Sequence, residues 1–96
     1  MSNSALASFH AIAYGRVQGV FFRAFVQDHA HALGLTGYVR NLAQLRAVEV
    51  QAEGKREKLE KLIELLHQGP VGARVEKVEV KWGGYSGDFS NFKIRY

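Results

Sequence analysis

The sequence contains no cysteine. A disulfide framework and thiol chemistry are therefore excluded. It also lacks any apolar run near the ~20 residues that a membrane-crossing helix needs. The opening stretch, Met1 to Ser8, has no basic leading region and no long apolar core, so no secretory signal is read there. A cytoplasmic location is the resulting expectation, with residues 1 to about 6 as a short disordered tail. Acidic residues are in the minority, 9 against 13 lysines and arginines, for a net charge of +4. That excess is modest and not gathered into blocks, which suits a small anionic ligand better than nucleic acid. Glu49, Glu53, Glu76, Glu79 and Asp88 show no spacing that marks a catalytic carboxylate pair. His29 and His31, two apart on a helix, face different ways, and His10 and His67 are isolated, so no metal site is read.

What is present is an ordinary globular composition. Of the 96 residues, 47% are hydrophobic and 23% charged, which fits one domain over residues 1–96. The chain is organised around Gly15-Arg16-Val17-Gln18-Gly19-Val20-Phe21-Phe22-Arg23. Phe9 to Tyr14 before it reads as a strand, and Ala24 to Ala30 after it reads as a helix. Two glycines between a strand and a helix allow a tight turn whose N–H groups point inward. The helix N-terminus lies beside that concavity with its unpaired N–H groups and partial positive charge. Arg23 falls in the first helical turn and can fold back over the loop. Together the backbone donors, the helix end and Arg23 make a phosphate cradle. The plainer reading is a glycine turn that only connects two elements. A Walker loop is excluded because no Gly-Lys-Ser/Thr follows, and a dinucleotide fingerprint because the third glycine is missing.

A second stretch, Gly37-Tyr38-Val39-Arg40-Asn41-Leu42, reads as a strand ending in an amide. Asn41 can hold a water through both its carbonyl and its NH₂, although asparagine also serves as a turn former. Arg23 and Asn41 are the key residues of the two stretches, and the pairing is more specific than either half. On these stretches, with Gly69-Pro70-Val71-Gly72-Ala73-Arg74-Val75 and the end Phe92-Lys93-Ile94-Arg95-Tyr96, the sequence resembles the acylphosphatase family over nearly its whole length. The resemblance implies a ferredoxin-like α/β sandwich and hydrolysis of a carboxyl-phosphate anhydride. It implies that the loop Gln18 to Phe22 and Arg23 bind phosphate, and that Asn41 orients the attacking water. It further implies no cofactor or metal, a small acyl phosphate as substrate, and inorganic phosphate or sulfate as competitive ligands. A monomer with neither nucleic acid nor a membrane as partner is expected.

The remaining elements follow from periodicity and breakers. Strand one is expected over about Ser8–Tyr14 and helix one over about Phe21–Leu33, with Phe22, Phe25, Val26, Ala30 and Leu33 on its core face and Gly34 ending it. Strand two is expected over Thr36–Leu42 and strand three over Arg46–Ala52, broken by Glu53-Gly54. The turn Ala43-Gln44-Leu45 lacks the Asn-Gly or Asp-Gly of a two-residue hairpin, so a longer or looser connection is expected. Helix two should run over Lys55–His67 on Leu59, Leu62, Ile63 and Leu66, with Glu57–Lys61 as an i,i+4 ion pair. Strand four is expected over Val75–Trp82, a flexible loop over Gly83 to Asp88, and a last strand over Asn91–Tyr96 with Phe92, Ile94 and Tyr96 inward. The order β-α-β-β-α-β plus a short C-terminal strand gives an α+β fold, an antiparallel sheet with two helices on one face.

An acyl phosphate leaves as a carboxylate, which needs no proton at neutral pH, so no general acid is required. Catalysis reduces to a preorganised cage for the phosphoryl oxygens and an aimed water. Arginine suits the cage for its planar fork. The substrate phosphate is the expected acceptor of the water's proton. Arg16 and Arg40 are read as surface residues that add positive field. Two rival readings share the element order. An RNA-recognition module needs a Lys/Arg-Gly-Phe/Tyr motif on an exposed sheet face, and none is present. A phosphate-sensing or carbamoyl-phosphate-handling module within a larger protein fits a free-standing chain less well.

Overall fold

The computed structural model describes residues 5–96. Its elements are β1 (Leu6–Arg16), α1 (Phe22–Ala32), β2 (Thr36–Leu42), a single 3₁₀ turn (Ala43–Leu45), β3 (Ala47–Lys55), α2 (Arg56–Gln68), β4 (Arg74–Gly83) and β5 (Phe92–Arg95). The sheet order is β4-β1-β3-β2-β5. The expected α+β ferredoxin-like architecture is present, with one correction: β5 pairs with β2 in parallel, so the sheet is mixed and not purely antiparallel. The cause is the connection. β2 and β5 run in the same direction because β5 returns along the outer edge of β2 after a long loop from β4.

Alternation decides which face the helices cover. Phe9, Ala11 and Ala13 on β1, with Val48, Val50 and Ala52 on β3, point to one side and are fully buried. They meet Phe22, Val26 and Ala30 of α1 and Leu59, Leu62 and Leu66 of α2 in one cluster. Full burial of each large side chain contributes roughly 1.5–3 kcal/mol. Trp82 closes the β4 side with an edge-on contact to Phe9 at 5.9 Å, and its outer side carries the Arg56 guanidinium at 3.8 Å.

Several boundaries differ from the sequence expectation. The segment at Glu53-Gly54 does not break β3; both residues pair across to Ser8 and Ala7 of β1. Glycine is needed at position 54 because a β-carbon would lie 2.5 Å from the Leu35 side chain. Ala5 and Leu6 are not tail: Leu6 begins β1, and the Ala5 carbonyl accepts the Arg56 N–H at 3.0 Å, satisfying the start of α2. The rest of the expected tail lies outside the described residues. The helical ion pair is Arg56–Glu60 at 3.3 Å, with no Glu57–Lys61 pair among the described residues. Tyr96 is not inward but 97% exposed, because the strand ends at Arg95 and the chain leaves the sheet.

Two turns agree with expectation and give it detail. Leu35 donates to the Ala30 carbonyl and Gly34 to the His31 carbonyl, a Schellman arrangement that stops α1 at glycine. The β2–β3 connection spans Ala43 to Arg46, longer than a two-residue hairpin, and the positive φ that a hairpin glycine would supply falls on Arg46 at 50°. The loop after β4 carries no regular structure but is held down. Buried Glu53 accepts hydrogen bonds from the Ser86 hydroxyl at 2.7 Å and the Gly87 N–H at 2.9 Å.

Candidate active site

The loop between β1 and α1 is shaped by three local features. Val17 is buried and its N–H returns to the Gly15 carbonyl at 3.1 Å, which pins the start of the loop. Gln18 then reaches across and donates its amide to the carbonyls of Leu42 at 3.2 Å and Ala47 at 2.9 Å. Those carbonyls flank the β2–β3 turn, so one side chain ties the loop to the end of the strand that carries Asn41. Gly19 and Phe21 both take positive φ, 74° and 59°. For phenylalanine the left-handed region costs roughly 1–2 kcal/mol.

That twist leaves donors free. Among the described residues, the N–H groups of Gln18 through Phe22 have no main-chain acceptor. The first N–H groups of α1 have no side-chain cap, and its first turn holds no acidic residue. Backbone donors and a helix N-terminus in this state are an anion site in physical terms.

Arg23 is the second residue of α1, and Asn41 lies one residue before the end of β2, opposite Val48 of β3. Both line one pocket of about 320 Å³, together with Val17, Gly19, Phe21, Phe22, Ala24, Ile94 and Tyr96. Its lining side chains include one cation and no Asp or Glu. The Arg23 guanidinium sits 4.8 Å from the centre of the Tyr96 ring. The fold thus brings Gly19, Phe21, Phe22, Arg23 and Asn41 together. Gln18 and Val20 are placed differently. The Gln18 side chain is occupied as a tether and the Val20 side chain packs against the core, so only their main-chain N–H groups remain for an anion.

The sequence reading placed Tyr96 and Ile94 as inward residues of the last strand and gave them no part in the site. The signal that finds them is topological. β5 runs parallel to β2 and ends with Arg95 beside Arg40, so the residues at the end of β5 lie next to the end of β2 that carries Asn41. A larger hollow of about 690 Å³ lies on the other side of the loop, lined by residues that include Arg16, Gln18, Arg46 and Glu76. It contains neither Arg23 nor Asn41, and its size does not outweigh that.

Arg40 faces away from the site. It pairs with Glu49, which also accepts a hydrogen bond from His10 at 2.6 Å. Burial pushes the Glu49 carboxyl up, but the His10 and Arg40 hydrogen bonds outweigh it and hold the group below its ordinary value. The hydrogen bond and charge of Glu49 raise the Arg40 pKa further. Two other histidines have structural contacts of their own. His29 packs edge-on against Phe25, and His31 bonds the Phe92 carbonyl at 3.0 Å. Among the described residues no three His, Cys, Asp or Glu side chains gather as a metal site.

Comparison with known proteins agrees with this geometry. The family model described as Acylphosphatase matches residues 9–94. A curated acylphosphatase from an Anaeromyxobacter species is 48% identical over 91 residues, covering 95% of this chain and 97% of the relative. The solved structure of an acylphosphatase from Coxiella burnetii superposes with a TM-score of 0.89 at 37% identity, covering 99% of this chain and 100% of that one. The crystal structure of the Bacillus subtilis acylphosphatase gives 0.89 at 33% identity, covering 94% and 99%. With matches that span both partners almost end to end, and with both motif residues on one pocket, this chain belongs to the acylphosphatase family.

Proposed function

We propose that this chain hydrolyses acyl phosphates to a carboxylate and inorganic phosphate, with the phosphoryl group held by the N–H groups of the 18–22 loop and by Arg23, and the attacking water held by Asn41. The observation that carries the reading is the convergence of Arg23 and Asn41, from different elements, on the pocket formed by the loop. Family membership gives the reaction class, and the geometry supports the proposed division of labour.

The water oxygen forms a bond to phosphorus, and the bond from phosphorus to the acyl oxygen breaks. The acyl oxygen keeps the electron pair and departs as a carboxylate. Its conjugate acid is strong enough that no proton is needed at neutral pH, which accounts for a site without a general acid. The water's proton passes to a phosphoryl oxygen. Charge in the loose transition state is spread over the peripheral oxygens, where fixed N–H donors and a planar guanidinium are most effective. Donors fixed by the Gln18 tether do not need to reorganise during the step. The role of Asn41 rests on its amide, which can accept one hydrogen of the water and orient its lone pair.

The reading takes the protein as a monomer acting on a small molecule in the cytoplasm, with phosphate or sulfate competing for the cage and no metal required. A nucleic-acid module is less well supported. β3 carries no aromatic residue, and the outward Tyr14 and Tyr38 rings are covered by Lys77 at 4.7 Å and Arg95 at 4.0 Å. The test is hydrolysis of benzoyl phosphate in excess chelator. Undiminished turnover is the expected result; loss of turnover restored by a divalent cation would contradict the metal-free reading.

A further inference from the structure

Phe9, Phe22 and Phe92 are buried, whereas Phe21 is 85% exposed. Phe21 also holds the left-handed conformation, φ 59° and ψ 27°. An exposed aromatic kept in a disfavoured backbone state contributes little to packing, and such strain gathers at functional sites. Phe21 lines the pocket that contains Arg23 and Asn41, as do Tyr96, itself 97% exposed, and the half-buried Ile94. None of these three side chains is a direct donor to a phosphoryl group, which takes charged and N–H donors. The pocket, about 320 Å³, stands at the lower end of the ~300–1,000 Å³ typical of small-molecule sites. Space for more than one phosphoryl group is therefore available beside an apolar lining.

We infer that Phe21, with Tyr96 and Ile94, forms an apolar wall for the acyl group and selects acyl phosphates with an aromatic or bulky apolar acyl chain over short ones such as acetyl phosphate. The inference rests on the phosphoryl-hydrolysis reading above and names its substrate class. The reaction is unchanged: the wall holds the organic part of the departing carboxylate, while the cage holds the phosphoryl group. An aromatic side chain against an aromatic acyl group is worth up to about tenfold in affinity beyond area burial.

The test compares kcat/KM for benzoyl phosphate and acetyl phosphate in the wild type, Phe21→Ala and Phe21→Leu. Any damage to the loop lowers both rates together, so the ratio isolates the wall. The benzoyl-to-acetyl ratio is expected to fall about tenfold in Phe21→Ala and less in Phe21→Leu. A parallel calorimetric comparison of benzylphosphonate with methylphosphonate needs no turnover and reads the wall in an inactive variant. The wild type should bind the benzyl compound more tightly, and Phe21→Ala should remove the preference. Equal binding of the two phosphonates by the wild type, or ratios within twofold of wild type in Phe21→Ala, overturns the wall and leaves the phosphoryl reading standing. A wild type that hydrolyses neither substrate overturns both.

Discussion

The Arg23 guanidinium carbon lies 4.8 Å from the centre of the Tyr96 ring. An arginine in the first turn of a helix has many rotamers, and a cation over an aromatic face restricts them. At an exposed site the contact is worth about 0.5–1 kcal/mol. Tyr96→Leu should therefore raise the inhibition constant of phosphate about two- to fivefold, while Tyr96→Phe should stay near wild type. Unchanged phosphate inhibition in Tyr96→Leu would show that Arg23 needs no such support.

Arg23→Lys keeps the charge but loses the planar fork. Most activity should disappear, and phosphate should inhibit more weakly. The comparison to make is the phosphate inhibition constant of the variant with that of the wild type. If the two agree, Arg23 is not the phosphate ligand.

Gln18 tests the preorganisation of the loop. Its amide donates to two carbonyls, so Gln18→Glu replaces a donor with an acceptor and sets a negative charge against carbonyl oxygens and substrate. Gln18→Glu should lose about 1–2 kcal/mol of stability and a larger share of activity than Gln18→Met. Denaturant midpoints and KM values for the pair decide this. Equal behaviour of the two variants would mean the tether does not organise the site.

These parts were unequally legible in the sequence. That the loop, Arg23 and Asn41 belong together was readable from the pairing of the two stretches, since either stretch alone also reads as a plain turn, and both helices were readable because their apolar stripes are clean. Gln18 was read as a loop member and not as a tether, because its acceptors, Leu42 and Ala47, are remote in sequence and offer only main-chain carbonyls. Tyr96 was misplaced because alternation continues on paper past Arg95, whereas pairing to β2 stops there. The Glu53-Gly54 segment was read as a break because glycine is a common breaker. What keeps it in the strand is pairing with Ser8 and Ala7 of β1, and the close approach of Leu35 leaves room there only for glycine; no local pattern encodes either contact.

Glu49 gives a pH prediction. Its carboxyl is held below the ordinary value of 4.5 against burial by the His10 and Arg40 hydrogen bonds. A depressed carboxyl stabilises the fold above its unfolded value, and the contribution fades as pH falls through the folded value. Glu49→Gln should cost about 1–2 kcal/mol at neutral pH. The gap from wild type should shrink as pH falls below 4.5. Thermal unfolding of both proteins across that range reads it directly. A gap that stays constant into acid would place the effect in packing and not in charge.

The division of labour between holding the phosphoryl group and aiming the water is tested most directly at Asn41. The cage consists of N–H groups and Arg23, and none of these depends on the Asn41 side chain. The measurement is benzoyl phosphate turnover together with the phosphate inhibition constant in Asn41→Ala, with circular dichroism to check folding. Turnover should fall on the order of 10²–10³-fold, with phosphate inhibition within about twofold of wild type. Near-wild-type turnover in the folded variant, or loss of phosphate binding in step with turnover, would contradict the account.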